Sequence, residues 1–425
     1  MQKQNQWIGI ALLGTALVLM AWQSSDQAKR QQAFSAEQAK THAAQTAATA
    51  EERARAAPVS IATTPAPAPT PAGANALAVK PIEKLADEKL MSLENDLLKV
   101  TFTTRGGAVR SVAFKQYAET LDSKAPYTMT APDALPFFTL SMTGKPDGID
   151  LSNYTLVSQG PTSIVFSRNV APKLTLERHY TLTQPEGKKR TAPGYILEQQ
   201  LVWKNSSSTD LQLPAFSMNV GVAMPEPSDK ENFFLNFAYH DTKEAKFLDL
   251  RQFHGGSFLF WSKPAQESIQ VTGNTPWAAV KSKSFALITT PKHAGTGVYA
   301  SPISIGTEVK RETITGSISF EGPTVKAGSS AETLISTYAG PKEYARLASM
   351  GAHQDDIMQW GWPIFAFFSK LFISMLNWLA GVAHNYGVAI ILLTLIIRAA
   401  MWPFTAAAAK ASKKMAAVQP MLKEV

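Results

Sequence analysis

Arg398 is the residue whose position is hardest to explain by its neighbours. It closes the run Val388-Ala389-Ile390-Ile391-Leu392-Leu393-Thr394-Leu395-Ile396-Ile397, which holds no other charge. A guanidinium near the centre of a bilayer helix costs about 2.5–3.5 kcal/mol on insertion scales, so such a residue is a functional candidate by default. The chemistry on offer is attraction of acidic or polar groups within an apolar layer. Thr394 lies one turn earlier on the same helical face and extends a polar stripe toward the centre of the run. A second reading stands beside this one. Arg398 precedes Trp402 by four residues, roughly 6 Å along a helix, from where its side chain can snorkel to the headgroups.

Other chemistry is poorly represented. The seven histidines are His42, His179, His240, His254, His293, His353 and His384, and no two have metal-ligand spacing. His179 sits on the polar side of an alternating segment and reads as solvated. The pairs Ser369-Lys370 and Ser412-Lys413 point about 100° apart on a helix, which does not make a serine–lysine dyad. Arg105-Gly106-Gly107 reads as a turn, not as a phosphate loop. The chain has no cysteine, which excludes disulfides, thiol catalysis and cysteine-based metal sites. Neither enzymatic activity nor a cofactor nor a metal is expected. The Lys-rich tail lacks interleaved aromatics, so it suits an anionic lipid surface better than a specific nucleic-acid sequence.

The elements that must place these residues follow from composition and period. Only 17% of the 425 residues are charged, below the roughly 25% of soluble domains, and the deficit is concentrated in apolar stretches at the two ends. Ile8–Ala21, framed by Trp7 and Trp22, spans roughly 20 Å as a helix and needs its flanks to cross a ~30 Å core. Leu19-Met20-Ala21-Trp22-Gln23 is a poor cleavage site, so residues 1–23 are expected to be an uncleaved transmembrane anchor rather than a signal peptide. Residues 24–82, rich in Ala, Gln and Pro, form a linker that cannot bury a core.

From 83 to 345 the pattern has period two. In Leu174–Leu182 the positions 174, 176, 180 and 182 are apolar and Thr175, Glu177, His179 and Thr181 face the other way. Leu98–Thr104, Tyr195–Trp203 and Ile314–Phe320 behave similarly, with turn residues between them. Many short alternating strands without a long amphipathic helix predict a β-sandwich. Residues 360–384 carry a narrow polar stripe, Lys370, Ser374, Asn377, Gly381 and His384, on an aromatic helix. That pattern predicts an amphipathic helix lying in the interface, with a second spanning helix as the alternative. Residues 385–405 predict a transmembrane helix of about 27 Å over its apolar part.

Charge orients these pieces. Lys410, Lys413, Lys414 and Lys423 follow the last apolar run, whereas Asp355 and Asp356 precede the hydrophobic zone. An excess of lysine marks the cytoplasmic side. With two spans, both termini lie inside and residues 24–384 lie outside. If 360–384 also crossed, the lysines would emerge on the wrong side.

Asn385 to Arg398, followed by Met401-Trp402-Pro403-Phe404-Thr405, closely resembles the first core helix of the YidC-family membrane protein insertases. Met415 to Pro420-Met421, within 406–425, looks like the start of that family's cytoplasmic helical hairpin. The aromatic helix before Asn385 is similar to its interfacial helix. Leu93-Glu94-Asn95-Asp96 through Arg105-Gly106-Gly107, Trp277 to Leu287 and Tyr338-Ala339-Gly340-Pro341-Lys342 resemble blocks of its periplasmic domain.

The resemblance implies a mixed membrane protein of the bacterial inner membrane, with a large periplasmic β-supersandwich between an N-terminal transmembrane anchor and an interfacial helix plus transmembrane helix. It implies insertion of hydrophobic segments of newly made proteins, alone or with the Sec translocon, without ATP or a covalent step. Nascent membrane proteins, the translocon, the ribosome and membrane lipids are the implied partners. Arg398 would line a hydrophilic groove, with Thr394 on its groove-facing side. The family continues into four more membrane helices beyond Val425. A fragment, a truncated gene or a second polypeptide would each account for that. The alternative function is an anchored β-sandwich that binds a ligand or tethers a partner, without insertase activity.

Overall fold

The computed structural model describes residues 88–418, except 121, 133–134, 143–147, 186–193, 228, 230–233, 259–260 and 307–310. The expected anchor 1–23, the linker 24–82 and the last residues of the tail lie outside the described residues. Two compact units are resolved by their internal contacts, one ending at Ala366 and the other containing the chain from Phe367 onward.

Among the described residues of the first unit, three antiparallel sheets make the body. The largest has nine strands in the order Ala245–Leu248, Asn236–His240, Ala278–Lys281, Phe285–Pro291, Ser330–Pro341, Ile196–Asn205, Leu174–Leu182, Ser163–Ala171 and Thr155–Gln159. The second orders Ile269–Thr275, Gly295–Ile305, Arg311–Phe320, Phe216–Val222 and Leu140–Ser141, and the third is the meander Leu90–Glu94, Leu98–Thr103, Ala108–Ala118 and Pro126–Thr130.

Register shows how these sheets stack. Tyr180 pairs with Gln199, Gln199 with Ile335 and Ile335 with Pro291. Residues directly opposite share a face, and side chains alternate along each strand. Tyr180, Gln199, Ile335, Phe285 and Leu287 therefore line one face of the nine-stranded sheet. The meander covers one part of that face: Phe102 lies 4.9 Å from Tyr180 and Phe114 lies 4.5 Å from Phe285, centroid to centroid. The five-stranded sheet covers another, because Gly316 is filled over by the Phe237 ring and Gly221 faces Val280 and Leu287. One broad sheet thus packs against two smaller ones. The expected β-sandwich is present, with a core running along the whole inner face.

The strand Leu174–Leu182 buries every second residue, Arg178 included. Its guanidinium is fully buried, donates to the carbonyls of Gly106 (2.6 Å) and Phe138 (2.5 Å), and lies over the Tyr180 ring. The Arg105-Gly106-Gly107 turn is held by this contact. Both glycines have positive φ, +68° and +55°, and a Cβ on Gly106 would meet the Asp150 carbonyl at 2.9 Å. Only glycine takes such a backbone without strain.

The first unit does not stop at its last strand. A short helix Tyr344–Ser349 and a 3-10 turn Gln354–Met358 follow, with Leu347 and Ile357 fully buried. The compact domain therefore runs past residue 345, to which period-two reasoning is blind because the added segment is helical.

Among the described residues from Pro363 onward lie two apolar helices, Pro363–Ala383 and Tyr386–Val418. Asn385 caps the second: its side-chain oxygen accepts from the backbone N–H of Gly387 (2.8 Å) and of Val388 (3.3 Å). That satisfies donors with no intrahelical partner. The helix continues through Pro403 to Val418, so no break separates the apolar run from the basic segment. The alanines at 399, 400 and 406–409 favour helix strongly and offset the bond that proline cannot make.

Candidate functional site

The helix Tyr386–Val418 sets out the candidate residues by simple geometry. Thr394 and Arg398 are one turn apart, about 6 Å along the axis, and share a face. Thr405, seven residues after Arg398, continues that stripe; sequence reasoning passed over it, although heptad spacing was the signal. Both threonine hydroxyls bond their own helix, Thr394 to the Ile390 carbonyl (2.8 Å) and Thr405 to those of Met401 (3.3 Å) and Trp402 (2.9 Å). Thr394 has thus spent its one donor on its own helix while its oxygen can still accept, and Arg398 keeps its donors.

Among the described residues, no carboxylate forms an ion pair with Arg398. The covered positions on this helix are Ala389, Leu393 and Ile397, a stripe rotated by about 100° from Thr394 and Arg398. Leu395, Ile396 and Ile391 are exposed. The arrangement is one cation with five donors, the only charged side chain in Tyr386–Pro403, flanked by exposed apolar side chains and by Thr394. It can bind anionic or carbonyl groups.

Among the described residues, two helices are long and apolar enough to cross a membrane, Ile364–Ala383 and Tyr386–Pro403. Length and composition alone do not separate a spanning from an interfacial role for the first. Its exposed aromatic side chains include Phe365, Phe367, Phe368 and Trp378; of its polar stripe, Lys370 and Asn377 are half-buried and Ser374 is exposed.

The β-domain offers different chemistry. His179 finds a carboxylate after all: its Nε2 lies 3.0 Å from Glu177 Oε2, and Lys204 reaches Glu177 Oε1 at 2.6 Å. The pair stands on the outer face of the nine-stranded sheet. Burial raises the Glu177 pKa, but the hydrogen bonds and charges of Lys204 and His179 together outweigh it and lower the net value. A carboxylate held ionised by an exposed lysine is a surface ion pair, worth about 0–1 kcal/mol.

A second cluster is buried. Glu226 accepts from Ser282 Oγ (2.5 Å), the Ser284 N–H (2.5 Å) and Ser284 Oγ (2.8 Å). Nearby Lys342 and Lys281 are pushed down to about 8 and about 7, chiefly by burial. Lys281 Nζ donates to Gln359 Oε1 (2.7 Å) and to the Ile357 carbonyl (3.3 Å). His240 and His353, far apart in sequence, stack at 5.6 Å with 12° between their planes. No sequence spacing announces that contact. Among the described residues, no group of three His, Asp or Glu side chains is arranged to hold a metal ion.

Known families match the chain in two consecutive stretches. Residues 90–375 match the family model described as YidC periplasmic domain, and residues 378–425 match the one described as 60Kd inner membrane protein. A membrane protein insertase YidC from Prosthecochloris aestuarii is 25% identical over 359 residues, covering 80% of this chain and 57% of that protein. One from Chlorobium limicola is 24% identical over 99% of this chain and 68% of its own length. One from Oleidesulfovibrio alaskensis reaches 41% identity over 101 residues, 24% of this chain and 18% of that protein. Among solved structures, a galactose mutarotase related enzyme from Lactobacillus acidophilus aligns over 59% of this chain and 97% of its own, with 10% identity and a TM-score of 0.40. The chain spans a little over half the length of several of the insertases that it resembles.

Proposed function

This chain belongs to the YidC family, and from that premise we propose that it is the front portion of a membrane protein insertase acting on hydrophobic segments of newly made proteins. The observation that carries the reading is the lone guanidinium of Arg398, on an exposed face of an apolar helix, with no carboxylate paired to it among the described residues. In a low-dielectric layer, a fixed cation lowers the cost of drawing a polar or acidic stretch partly across, and the apolar segment beside it partitions into lipid. Thr394 contributes a neighbouring acceptor. No covalent step is needed, since the transfer free energy of the substrate supplies the drive. The three YidC relatives above are named as membrane protein insertases.

The placement that goes with this reading has the β-domain outside the cytoplasm, Tyr386–Pro403 spanning the inner membrane and Pro363–Ala383 along the interface. The polar stripe of the latter helix supports the interfacial role, and the lysines after Pro403 support an inward exit. Nascent membrane proteins are the substrates, and the Sec translocon, the ribosome and the surrounding lipid are the partners of this working arrangement.

Photo-crosslinking tests the reading. A crosslinker at position 394, in the gene's native context, is expected to capture a ribosome-bound nascent membrane segment. One at position 396, on the opposite face of the helix, serves as the comparison. Equal capture at both positions would remove the special status of the Arg398 face.

A further inference from the structure

We propose that the segment from Gly351 to Trp360 is an acid-labile clasp, held against the β-domain while His240 is neutral and released when His240 takes up a second proton.

The segment is fastened from several sides. Trp277 Nε1 donates to the Ala352 carbonyl (2.9 Å), Gln354 Nε2 to Thr290 Oγ1 (3.0 Å) and Lys281 Nζ to Gln359 Oε1 (2.7 Å). Ile357 is fully buried, and Trp360 sits edge-on to Tyr344 at 5.3 Å. The backbone opposes this arrangement. Ala352, His353 and Gln359 all have positive φ, 49°, 56° and 60°, which costs a residue with a side chain roughly 1–2 kcal/mol each. Strain of this kind persists only while surrounding contacts over-determine it.

His240 is the contact that a proton can break. It ends the strand Asn236–His240, is 3% exposed, and stacks on His353 of the clasp. Its Nδ1 receives the backbone N–H of Thr242 at 3.1 Å. A backbone N–H can only donate, so Nδ1 is the bare nitrogen and Nε2 carries the hydrogen. Nε2 is buried with no hydrogen-bond partner among the described residues. A second proton on Nδ1 would set one N–H against another and place a cation face to face with His353.

The charged groups around the ring are His353 and Asp356 from the clasp and Asp241 and Glu244 from the hairpin that follows the strand. The three carboxylates favour the cation, yet burial and His353 outweigh them and lower the His240 pKa. Asp241 is already engaged, accepting the N–H groups of Lys243 (3.0 Å) and Glu244 (2.9 Å). At the other end of the clasp, Lys281 also resists protonation because it is buried and Lys342 is near. Charged or neutral, Lys281 still donates to the Gln359 and Ile357 oxygens, so the proton that opens the clasp is the one on His240.

Release would convert residues 351–362 into free chain ahead of the helix Pro363–Ala383. Twelve residues extend to about 40 Å at most, so the tether between the β-domain and that helix lengthens as pH falls. Which compartment's pH is sensed rests on the placement proposed above; the clasp itself does not.

Amide hydrogen exchange on the chain in lipid nanodiscs tests the clasp, with rates corrected for their intrinsic pH dependence. The amides of Gln354, Asp356 and Gln359, which bond within the clasp, are expected to lose protection between pH about 7.5 and about 5.5. The loss should approach about tenfold, the most that one histidine with an ordinary value near 6.5 after release can give over this range. Core amides such as Leu287 and Ile288 should keep theirs over that range. His240→Asn retains an acceptor for the Thr242 N–H without titrating, and should hold its clasp protection at the lower pH; core protection in the same experiment reports that it folds. Clasp protection that stays level in the wild-type chain, or that falls equally in His240→Asn, would overturn the proposal.

Discussion

Gly316→Ala probes the stacking of the two larger sheets at one atom. Gly316 lies in the strand Arg311–Phe320, and a Cβ there would fall 2.7 Å from Phe237 Cζ and closer still to two other carbons of that ring. Carbon–carbon contacts are optimal near 3.5–4.0 Å, so the ring would have to retreat by about 1 Å or more. Phe237 is fully buried, with Val280 opposite it on the next strand, also fully buried. Overpacking a filled core costs about 1–3 kcal/mol. Replacing glycine in a strand returns about 0.5–1 kcal/mol of backbone entropy. The clash wins, by roughly 2 kcal/mol. For a domain of this size that corresponds to a fall of about 4–8 °C in melting temperature, read by near-UV circular dichroism on the chain in detergent. Phe237→Leu makes room for the added methyl, so the double variant should be more stable than the sum of the single effects predicts, by about 0.5–3 kcal/mol. A melting temperature at or above wild type for Gly316→Ala, or strict additivity with Phe237→Leu, would refute the stacking.

Three further outcomes follow from the same contacts. Stability of the β-domain should rise between pH about 7 and about 10, because unfolded Lys281 and Lys342 bind protons that the folded chain, holding them near 7 and 8, has released. It should fall above about pH 10, where buried Tyr180, pushed up to about 12, keeps a proton that the unfolded chain gives up; Lys281→Met should flatten the rise in a urea titration at several pH values. Arg178→Met leaves the buried Gly106 and Phe138 carbonyls without their donor and should cost about 2–4 kcal/mol in chemical unfolding, at about 1–3 kcal/mol per orphaned group. Protease added outside intact spheroplasts should degrade residues 83–345 and spare the segment after Lys410, as read with antibodies to each end; a protected β-domain would reverse the proposed topology.

Much of the fold is written in period. Alternation in Leu174–Leu182 identifies a strand with one buried face, and the structure keeps that register, yet the pattern hides its most consequential member. Arg178 interrupts the apolar positions, so hydropathy treats it as noise, whereas in the fold it is the buried fork that fixes the glycine turn. Local pattern also cannot say that one broad sheet accepts two smaller ones, since that depends on pairings such as Tyr180 with Gln199 and Ile335 with Pro291. The clasp was invisible for a related reason. Its contacts join His353 to His240 and Gln359 to Lys281, residues far apart in sequence, and its backbone has neither period. The membrane-side candidate was the most legible part, because a single charge in an apolar run needs no tertiary contact to be noticed.

The account's central claim is that Arg398 acts on polar parts of incoming chains. Insertion of two substrates that differ only in the charge of their translocated tail tests it most directly, comparing wild type with Arg398→Ala in the gene's native context. The account predicts that the acidic-tailed substrate loses more insertion than the neutral one, with Arg398→Lys retaining part of the preference. Equal insertion of both substrates by Arg398→Ala, at wild-type levels, would contradict it and leave Arg398 as a residue that snorkels to the headgroups.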